Sequence, residues 1–196
     1  MILYLHGFRS SPRSFKATLM ARAMAERGLA QQWRCPQLPP SPRQAADLAA
    51  AQAAELLALV PGARPEQLTV VGSSLGGYYA TWLAQRIGCK AVLLNPAVDP
   101  ARDLAAHVGA QRGYHDDVPF EFLPRYLDEL RELQVGELTR PDRYFLLACT
   151  GDEVLDWREM AARYAGCRQR IIEGGDHGIS DFERWMPEVL SFALDT

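Results

Sequence analysis

The sequence lacks paired cysteines, runs of basic residues and apolar segments of transmembrane length. None of its four cysteines belongs to a C-x-x-C pair, so neither a zinc site nor a thioredoxin-like redox motif is indicated. We expect them to be small buried residues in a reducing cytosol. The net charge of −3 and the absence of a basic run argue against a nucleic-acid partner. No apolar run is long enough to cross a bilayer, so no membrane span is predicted. The cysteines are Cys35, Cys89, Cys149 and Cys167.

The start and the composition of the chain predict a single cytoplasmic domain. Met1 leads almost directly into an apolar run that stops at His6, and no basic segment precedes it, which argues against a signal peptide. The 196 residues, 48% hydrophobic and 23% charged, fit one domain over 1–196 with a sizeable core. No internal repeat or low-complexity linker divides the chain, and nothing in the sequence indicates an oligomeric state.

Strand patterns alternate with helical patterns along most of the chain. Strands are predicted from short apolar runs at 2–5, 32–35, 68–71, 91–94, 144–148 and 169–172. Helices are predicted from a Ser11-Pro12 start to Gly28, from Ser41-Pro42 to about Val60, after Gly72 to Gly88, and over 156–164 and 180–194. The alternation predicts an α/β fold, with helices on both faces of a mostly parallel sheet.

A glycine-rich turn, Gly72-Ser73-Ser74-Leu75-Gly76, follows the third predicted strand. It matches G-x-S-x-G between a strand and a helix, which is the context of a nucleophile elbow. In such a turn the serine takes a strained backbone conformation, and small residues are needed two positions to either side. Gly72 and Gly76 flank Ser74 in this register, whereas Ser73 has larger residues at both positions. The turn therefore predicts Ser74 as a nucleophile that attacks an acyl carbonyl.

A serine nucleophile needs a general base and an acid that orients the base. The chain order Ser, then Asp or Glu, then His accompanies such elbows. His177 follows the last predicted strand in a glycine-rich turn and is the predicted base. Asp152 directly follows the strand at 144–148 and is the predicted acid, with Asp99, after the strand at 91–94, as an alternative. Three further acidic residues in these loops are less favoured, and the one next to the histidine is interpreted as a turn residue: Glu153, Asp156 and Asp176.

The attacked carbonyl develops negative charge, which backbone N–H groups can stabilise in an oxyanion hole. One predicted donor is the N–H of Leu75, directly after the nucleophile. The second is the N–H of Phe8, in the loop after the first strand, where Gly7 allows a close approach of the backbone. An ordinary turn is the alternative interpretation of His6-Gly7.

Six segments together resemble the YqiA family of small bacterial esterases. They are 4–8 (YLHGF), 36–40 (PQLPP), 72–80 (GSSLGGYYA), 95–98 (NPAV), 150–156 (TGDEVLD) and 173–177 (EGGDH). The resemblance covers nearly the whole chain and is weakest from about Arg102 to Arg143. It implies a compact α/β-hydrolase fold that lacks the first two strands of larger relatives. It also implies esterase activity on short acyl esters, with acyl-CoA thioesters as a further substrate class. The chain departs from its relatives at Asp176, where they have Asn.

The predicted function is therefore serine ester hydrolysis through an acyl-enzyme intermediate, with a small-molecule ester or thioester as substrate and no cofactor. A catalytically silent module of the same fold is the alternative, although such modules typically lack part of the triad. A phosphate-binding loop is disfavoured, because the turn lacks the lysine of a P-loop and the G-x-G-x-x-G spacing. No cluster of ligands predicts a metal.

The stretch 99–142 breaks the alternation of strands and helices. Its apolar residues recur at helical spacing from Phe122 to Leu133, with Pro124 near the start, so a helical lid or cap insertion is predicted. Its apolar face either lines an acyl pocket or only packs the helix onto the domain. Arg9 and Arg13 either attract a phosphate-bearing leaving group or are solvated surface charges.

Overall fold

A six-stranded parallel sheet forms the centre of the molecule, in the order β2-β1-β3-β4-β7-β8. The computed structural model describes residues 1–115 and 117–195; Asp116, inside the 99–142 segment, and Thr196 lie outside the described residues. The sheet strands are β1 (Ile2–Leu5), β2 (Trp33–Arg34), β3 (Thr69–Ser73), β4 (Lys90–Leu94), β7 (Tyr144–Cys149) and β8 (Arg168–Ile172); β5 (Gly109–Arg112) and β6 (Pro119–Phe122) form a separate antiparallel pair. The predicted fold class is confirmed.

Helices cover both faces of the sheet. They are α1 (Phe15–Glu26), α2 (Pro42–Ala58), α3 (Leu75–Ile87), α4 (Pro100–Asp103), α5 (Arg125–Glu132), α6 (Trp157–Arg163) and α7 (Phe182–Leu194). Single 3₁₀ turns lie at Ala30–Gln32, Pro65–Gln67, Ala105–His107 and Pro141–Arg143. Alternate strand residues face opposite sides, so that Leu3 packs with α2 and α3 while Ile2 packs with α1 and α7. Both sides are apolar, which explains the continuous apolar runs of the central strands.

The strand order positions the site. From β1 the chain first adds β2 on one side, then returns to add β3 on the other side, and continues outwards to β8. The loops after β1 and β3 therefore leave the sheet on either side of a crevice at its carboxyl edge. Open α/β sheets bind their ligands at such a switch point.

The 99–142 segment contains more than the predicted helix. It begins with α4, continues through the β5–β6 hairpin and ends with α5, so the prediction of helix from Phe122 is wrong: Phe122 lies in β6, and α5 begins at Arg125. Pro124 explains the difference, because a proline disfavours helical backbone in the residue before it. The side chain of Phe122 is nevertheless buried, since it points from the hairpin into the core.

The start of the first helix also differs from the prediction. Ser11 accepts a hydrogen bond from the Arg13 N–H (3.1 Å) in a turn, and α1 begins only at Phe15 after Ser14. The same Ser-Pro pattern is correct at α2, where the Ser41 hydroxyl accepts from the Gln44 N–H at 3.3 Å and Pro42 is the first helical residue. Over residues 1–115 and 117–195, no helix combines the length and apolar character needed to span a membrane.

Candidate active site

Ser74 occupies a strained turn between β3 and α3. Its backbone has φ 54° and ψ −121°, outside the regions that a non-glycine residue ordinarily adopts. Neighbouring glycines make the turn possible: a Cβ on Gly72 would lie 2.2 Å from the Gly76 carbonyl oxygen, and one on Gly76 would lie 2.0 Å from the Leu5 carbonyl oxygen. The Ser74 N–H donates to the Leu94 carbonyl at 3.0 Å, which fixes the turn against β4. Such strain is typical of functional positions.

The three side chains predicted to act together lie in one hydrogen-bonded line. His177 Nε2 is 3.0 Å from Ser74 Oγ, and His177 Nδ1 is 2.8 Å from Asp152 Oδ2. An ionised carboxylate only accepts, so a neutral imidazole carries its proton on Nδ1 and leaves Nε2 to accept from the serine hydroxyl. The other oxygen, Asp152 Oδ1, accepts from the N–H groups of Val154 and Leu155, each at 2.8 Å. The Asp152 side chain is fully buried, so both of its oxygens are fixed.

The carboxylates of the alternative acids accept hydrogen bonds from backbone N–H groups and not from the ring of His177. Asp99 caps α4 by accepting from Arg102, and Asp156 caps α6 by accepting from Arg158. Glu153 accepts from the backbone N–H of His177 at 3.0 Å rather than from its ring.

Asp176 is a turn residue, as the sequence indicated. It accepts from both the N–H and the hydroxyl of Ser180, which holds the pKa of its carboxyl below the usual value. Its carboxylate therefore fixes the turn after the histidine.

Asn95 is a residue whose role the sequence analysis did not identify. Its side chain is fully buried, and its backbone is left-handed with φ 42°. Oδ1 accepts from the Cys149 N–H at 2.8 Å, while Nδ2 donates to the carbonyl oxygens of Asp176 (3.0 Å) and His177 (3.1 Å). One amide thus ties the ends of β4 and β7 to the histidine loop. An asparagine next to a proline at a strand end was the available signal, because asparagine tolerates φ above zero.

The loop after β1 approaches Ser74 closely. A Cβ on Gly7 would lie 3.1 Å from the Ser74 Cβ, so only glycine fits there without displacement. Neither the Phe8 N–H nor the Leu75 N–H donates to an acceptor among residues 1–115 and 117–195. Both residues line a cavity of about 720 Å³ that also contains Ser74 and His177. Two backbone donors are therefore available beside the serine.

His6 holds this loop in place. Its side chain is buried, its Nε2 accepts from the Leu38 N–H at 3.0 Å, and its Nδ1 lies 2.9 Å from the Gly7 carbonyl oxygen. It connects the loop after β1 with the proline-rich loop after β2. The sequence gave no sign of this role, because Leu38 is distant from His6 along the chain.

The 99–142 segment closes one side of the cavity. The ring of Phe8 contacts the rings of His107, Phe120 and Phe122 at centroid distances of 5.7, 5.9 and 5.2 Å. A second, mostly apolar cavity of about 400 Å³ lies beyond Phe8 and shares part of its wall with the first. Its apolar lining comes mainly from Phe8, Leu38, Pro39, Pro40, Leu75, Tyr79, Val118 and Phe120.

Arg9 and Arg13 connect the loop after β1 with the same segment. Arg9 Nε donates to the Arg112 carbonyl at 2.7 Å, and its guanidinium lies over the Tyr114 ring. Arg13 donates to the His115 carbonyl at 3.1 Å. Neither guanidinium is simply a solvated charge.

The described residues show neither a metal-ligand cluster nor a disulfide. No group of three or more His, Cys, Asp or Glu side chains within 1–115 and 117–195 is placed to hold a metal ion. All four cysteines are free: Cys89 and Cys149 are buried and Cys35 and Cys167 are half-buried. Burial raises the pKa of Cys35 to about 12, so its thiol is protonated at neutral pH.

Comparisons with known proteins match nearly the whole chain. A family model described as "Uncharacterised protein family (UPF0227)" matches residues 1–194. A structure from Agrobacterium vitis S4 has a TM-score of 0.75 at 18% identity, covering 98% of this chain and 87% of that one.

Two further structures have similar lengths. One comes from work on LipS and LipT, two metagenome-derived lipolytic enzymes, with a TM-score of 0.72 at 18% identity and coverage of 98% and 92%. The other is alpha/beta hydrolase domain-containing protein 10 from mouse, with a TM-score of 0.64 at 14% identity and coverage of 97% and 89%. At these identities the similarity shows a shared fold.

Proposed function

The chain belongs to the family UPF0227, the YqiA family indicated by its motifs, and on that premise we propose that it is a serine hydrolase of carboxylic esters. The observation that carries the proposal is the continuous line from Ser74 through His177 to Asp152 at 3.0 and 2.8 Å, in a cavity wide enough for a small ester. In its α/β-hydrolase fold, the three residues lie in loops that follow the carboxyl ends of β3, β7 and β8.

In the acylation step, His177 Nε2 accepts the hydroxyl proton as Ser74 Oγ attacks the ester carbonyl. The imidazole becomes a cation, which the buried carboxylate of Asp152 stabilises across 2.8 Å. The N–H groups of Phe8 and Leu75 donate to the oxyanion of the tetrahedral intermediate. Each such donor typically contributes about 3 kcal/mol to transition-state stabilisation.

Collapse of the intermediate releases the alcohol. His177 donates its proton to the leaving oxygen, and the acyl group remains on Ser74 Oγ. A water molecule then loses a proton to His177 and attacks the acyl-enzyme, and the same proton returns to Ser74 as the acid leaves. These steps require only groups of the chain and water.

We further propose that residues 1–196 act as one domain, in which the 99–142 segment is a cap that forms the cavity wall. The apolar cavity beyond Phe8 supports the interpretation of this segment as the wall of an acyl pocket. Thioesters would use the same chemistry. Arg9 and Arg13 bond to carbonyls of the cap, so they give a phosphate-bearing leaving group no separate support.

Hydrolysis of p-nitrophenyl acetate, butyrate and octanoate by Ser74→Ala and Ser73→Ala variants tests the proposal. Ser73 is a matched control, because it is the adjacent serine of the same turn. We expect Ser74→Ala to lower kcat/KM by a factor of about 10⁴ or more, and Ser73→Ala to change it by less than tenfold. A fluorophosphonate probe should label the wild type and fail to label Ser74→Ala. Retained hydrolysis or labelling in Ser74→Ala would refute the assignment.

A further inference from the structure

Lys16 is a buried amine that lines the same cavity as the proposed nucleophile. The proposed mechanism does not use it. It lies in the first turn of α1 and is only 8% exposed. Its Nζ donates to the carbonyl of Gly178, the residue after the proposed base. Lys16 lines the 720 Å³ cavity together with Ser74 and His177, and of the described residues lining that cavity it is the only lysine or arginine.

The ammonium group has no ionic partner in the described part of the chain. No carboxylate oxygen of residues 1–115 and 117–195 lies within 4.0 Å of Nζ, and the Gly178 carbonyl is its hydrogen-bond acceptor. An ammonium carries three donors, and the Gly178 carbonyl takes one, so two remain available to a ligand. Burial lowers the pKa of Lys16 to about 8, and attraction to Asp176 and Asp152 partly offsets this effect. At pH 7 the amine is therefore mostly protonated.

Two carboxylates near the cavity accept direct hydrogen bonds from groups other than Lys16. Asp152 accepts from two backbone N–H groups and the imidazole, and Asp176 accepts from Ser180. Asp103 also lines the cavity; its Oδ1 is paired with Arg102 at 2.8 Å, its Oδ2 is buried without a partner among the described residues, and burial raises the pKa of its carboxyl. Lys16 is thus a buried positive charge that Asp176 and Asp152 attract without forming a direct ion pair with it. A buried charge without a partner is costly, and an anionic ligand would remove that cost.

We propose that Lys16 forms a carboxylate-binding subsite, so that the preferred substrate is an ester that also carries a carboxylate. A single ammonium group neutralises a monoanion completely, whereas a phosphate dianion would keep a net negative charge inside the cavity. This inference rests on the proposed ester hydrolysis. It restricts the substrate class from esters in general to half-esters of dicarboxylic acids, or to hydroxy acids that are acylated on the hydroxyl and keep a free carboxylate.

The alternative is that Lys16 only positions the histidine loop through Gly178. That role would affect every ester equally, because each requires the same His177. The ratio of kcat/KM between an anionic ester and a neutral ester of the same shape separates the two roles. A displacement of His177 would lower kcat/KM for both esters by the same factor and would leave this ratio unchanged.

Two matched pairs of stable esters provide the test. Monoethyl succinate against ethyl 4-methylpentanoate places the carboxylate in the acyl part, and O-butyrylglycolate against isobutyl butyrate places it in the alcohol part. The chain has only two lysines, so Lys90→Met is a natural control for Lys16→Met. Lys90 also donates to backbone carbonyls, of Phe192 and Asp195, but stands at the start of β4.

We expect the wild type and Lys90→Met to prefer the anionic ester in at least one pair by about tenfold or more, the size of one charged hydrogen bond. Lys16→Met should lose that preference. The proposal is overturned if the wild type prefers the neutral ester in both pairs, or if Lys16→Met slows both members of a pair equally.

Binding of monoethyl succinate, a monoanion, to the Ser74→Ala protein keeps the two proposals separable. Calorimetry should detect binding to Ser74→Ala and binding at least tenfold weaker to the Lys16→Met/Ser74→Ala protein. If the wild type hydrolysed none of the four esters while monoethyl succinate still bound through Lys16, ester hydrolysis would be wrong and the subsite would stand. Equal or absent binding of monoethyl succinate in both proteins would overturn the subsite.

Discussion

The carboxyl edge of the sheet and the 99–142 cap form opposite walls of one cavity, yet they are held by different forces. At the sheet edge, Ser74 is fixed by backbone hydrogen bonds and by the close approach of neighbouring glycines, and Asp152 is fixed by backbone hydrogen bonds to a completely buried side chain. The cap is joined to the domain mostly by side chains, such as the Tyr78 hydroxyl, which donates to the Leu130 carbonyl at 2.6 Å. The Arg102–Glu159 pair, at 2.7 Å, is exposed.

This difference separates the proposed chemistry from the proposed selectivity. Groups that exchange protons need positions fixed to a fraction of an ångström, and buried backbone contacts supply that precision. A wall that only selects the shape of an acyl chain tolerates looser attachment. Variants at the sheet edge should therefore lower the hydrolysis of all substrates. Variants of the cap should change the free energy of unfolding slightly and leave the hydrolysis of short esters unchanged.

The largest expected effect comes from adding one methyl group at Gly76. An Ala side chain there would meet the Leu5 carbonyl at 2.0 Å and the His6 carbonyl at 2.7 Å, and neither backbone can move without displacing β1. We expect Gly76→Ala to lower the free energy of unfolding by more than about 4 kcal/mol or to prevent folding.

The matched control is Gly136→Ala in the cap, where a Cβ meets nothing within 4 Å. It should change stability by no more than about 0.5 kcal/mol. Urea denaturation followed by circular dichroism measures both. If the two variants lost similar free energies of unfolding, the proposed difference between the sheet edge and the cap would be wrong.

Asn95→Gly should give an intermediate effect. Glycine accepts the φ of 42°, so the variant removes three hydrogen bonds without adding backbone strain. We expect a loss of about 3 kcal/mol in stability. Because the histidine loop is released, kcat should fall by about 10- to 100-fold on acetate and octanoate esters alike. Unchanged kcat would mean that the loop is held without this amide.

The smallest effect is expected for Tyr78→Phe, which removes the hydroxyl between α3 and α5. The Leu130 carbonyl loses one donor and keeps the Leu133 N–H at 3.1 Å, so the free energy of unfolding should fall by only about 1 kcal/mol. Hydrolysis of p-nitrophenyl acetate should stay within about twofold of the wild type, because no contact at the sheet edge changes. A loss of activity as large as that of Asn95→Gly would show that the cap positions the reacting groups as well.

Features that depend on local sequence patterns were predicted, whereas contacts between residues far apart along the chain were not. Ser74 and Asp152 each follow a buried strand, and His177 follows the edge strand β8. Parallel strands bring their carboxyl ends to one edge of the sheet, so local patterns suffice to predict that these residues lie together. Asn95 and Lys16 escaped notice because their partners lie 54 to 162 residues away. The hairpin in the cap was missed because Phe122 continues a helical spacing that Pro124 interrupts.

The order of the proposed catalytic residues along the chain also bears on when a newly made chain can act. Gly7, Ser74 and His177 come from the first, middle and last parts of the sequence, and the histidine loop follows β8 at the sheet edge. Ser74 is therefore synthesised 103 residues before its proposed base, and Leu94, which accepts from its N–H, also comes later. On the proposed mechanism hydrolysis requires that β8 has paired with β7, so esterase activity regained on refolding would report that this last strand is in place.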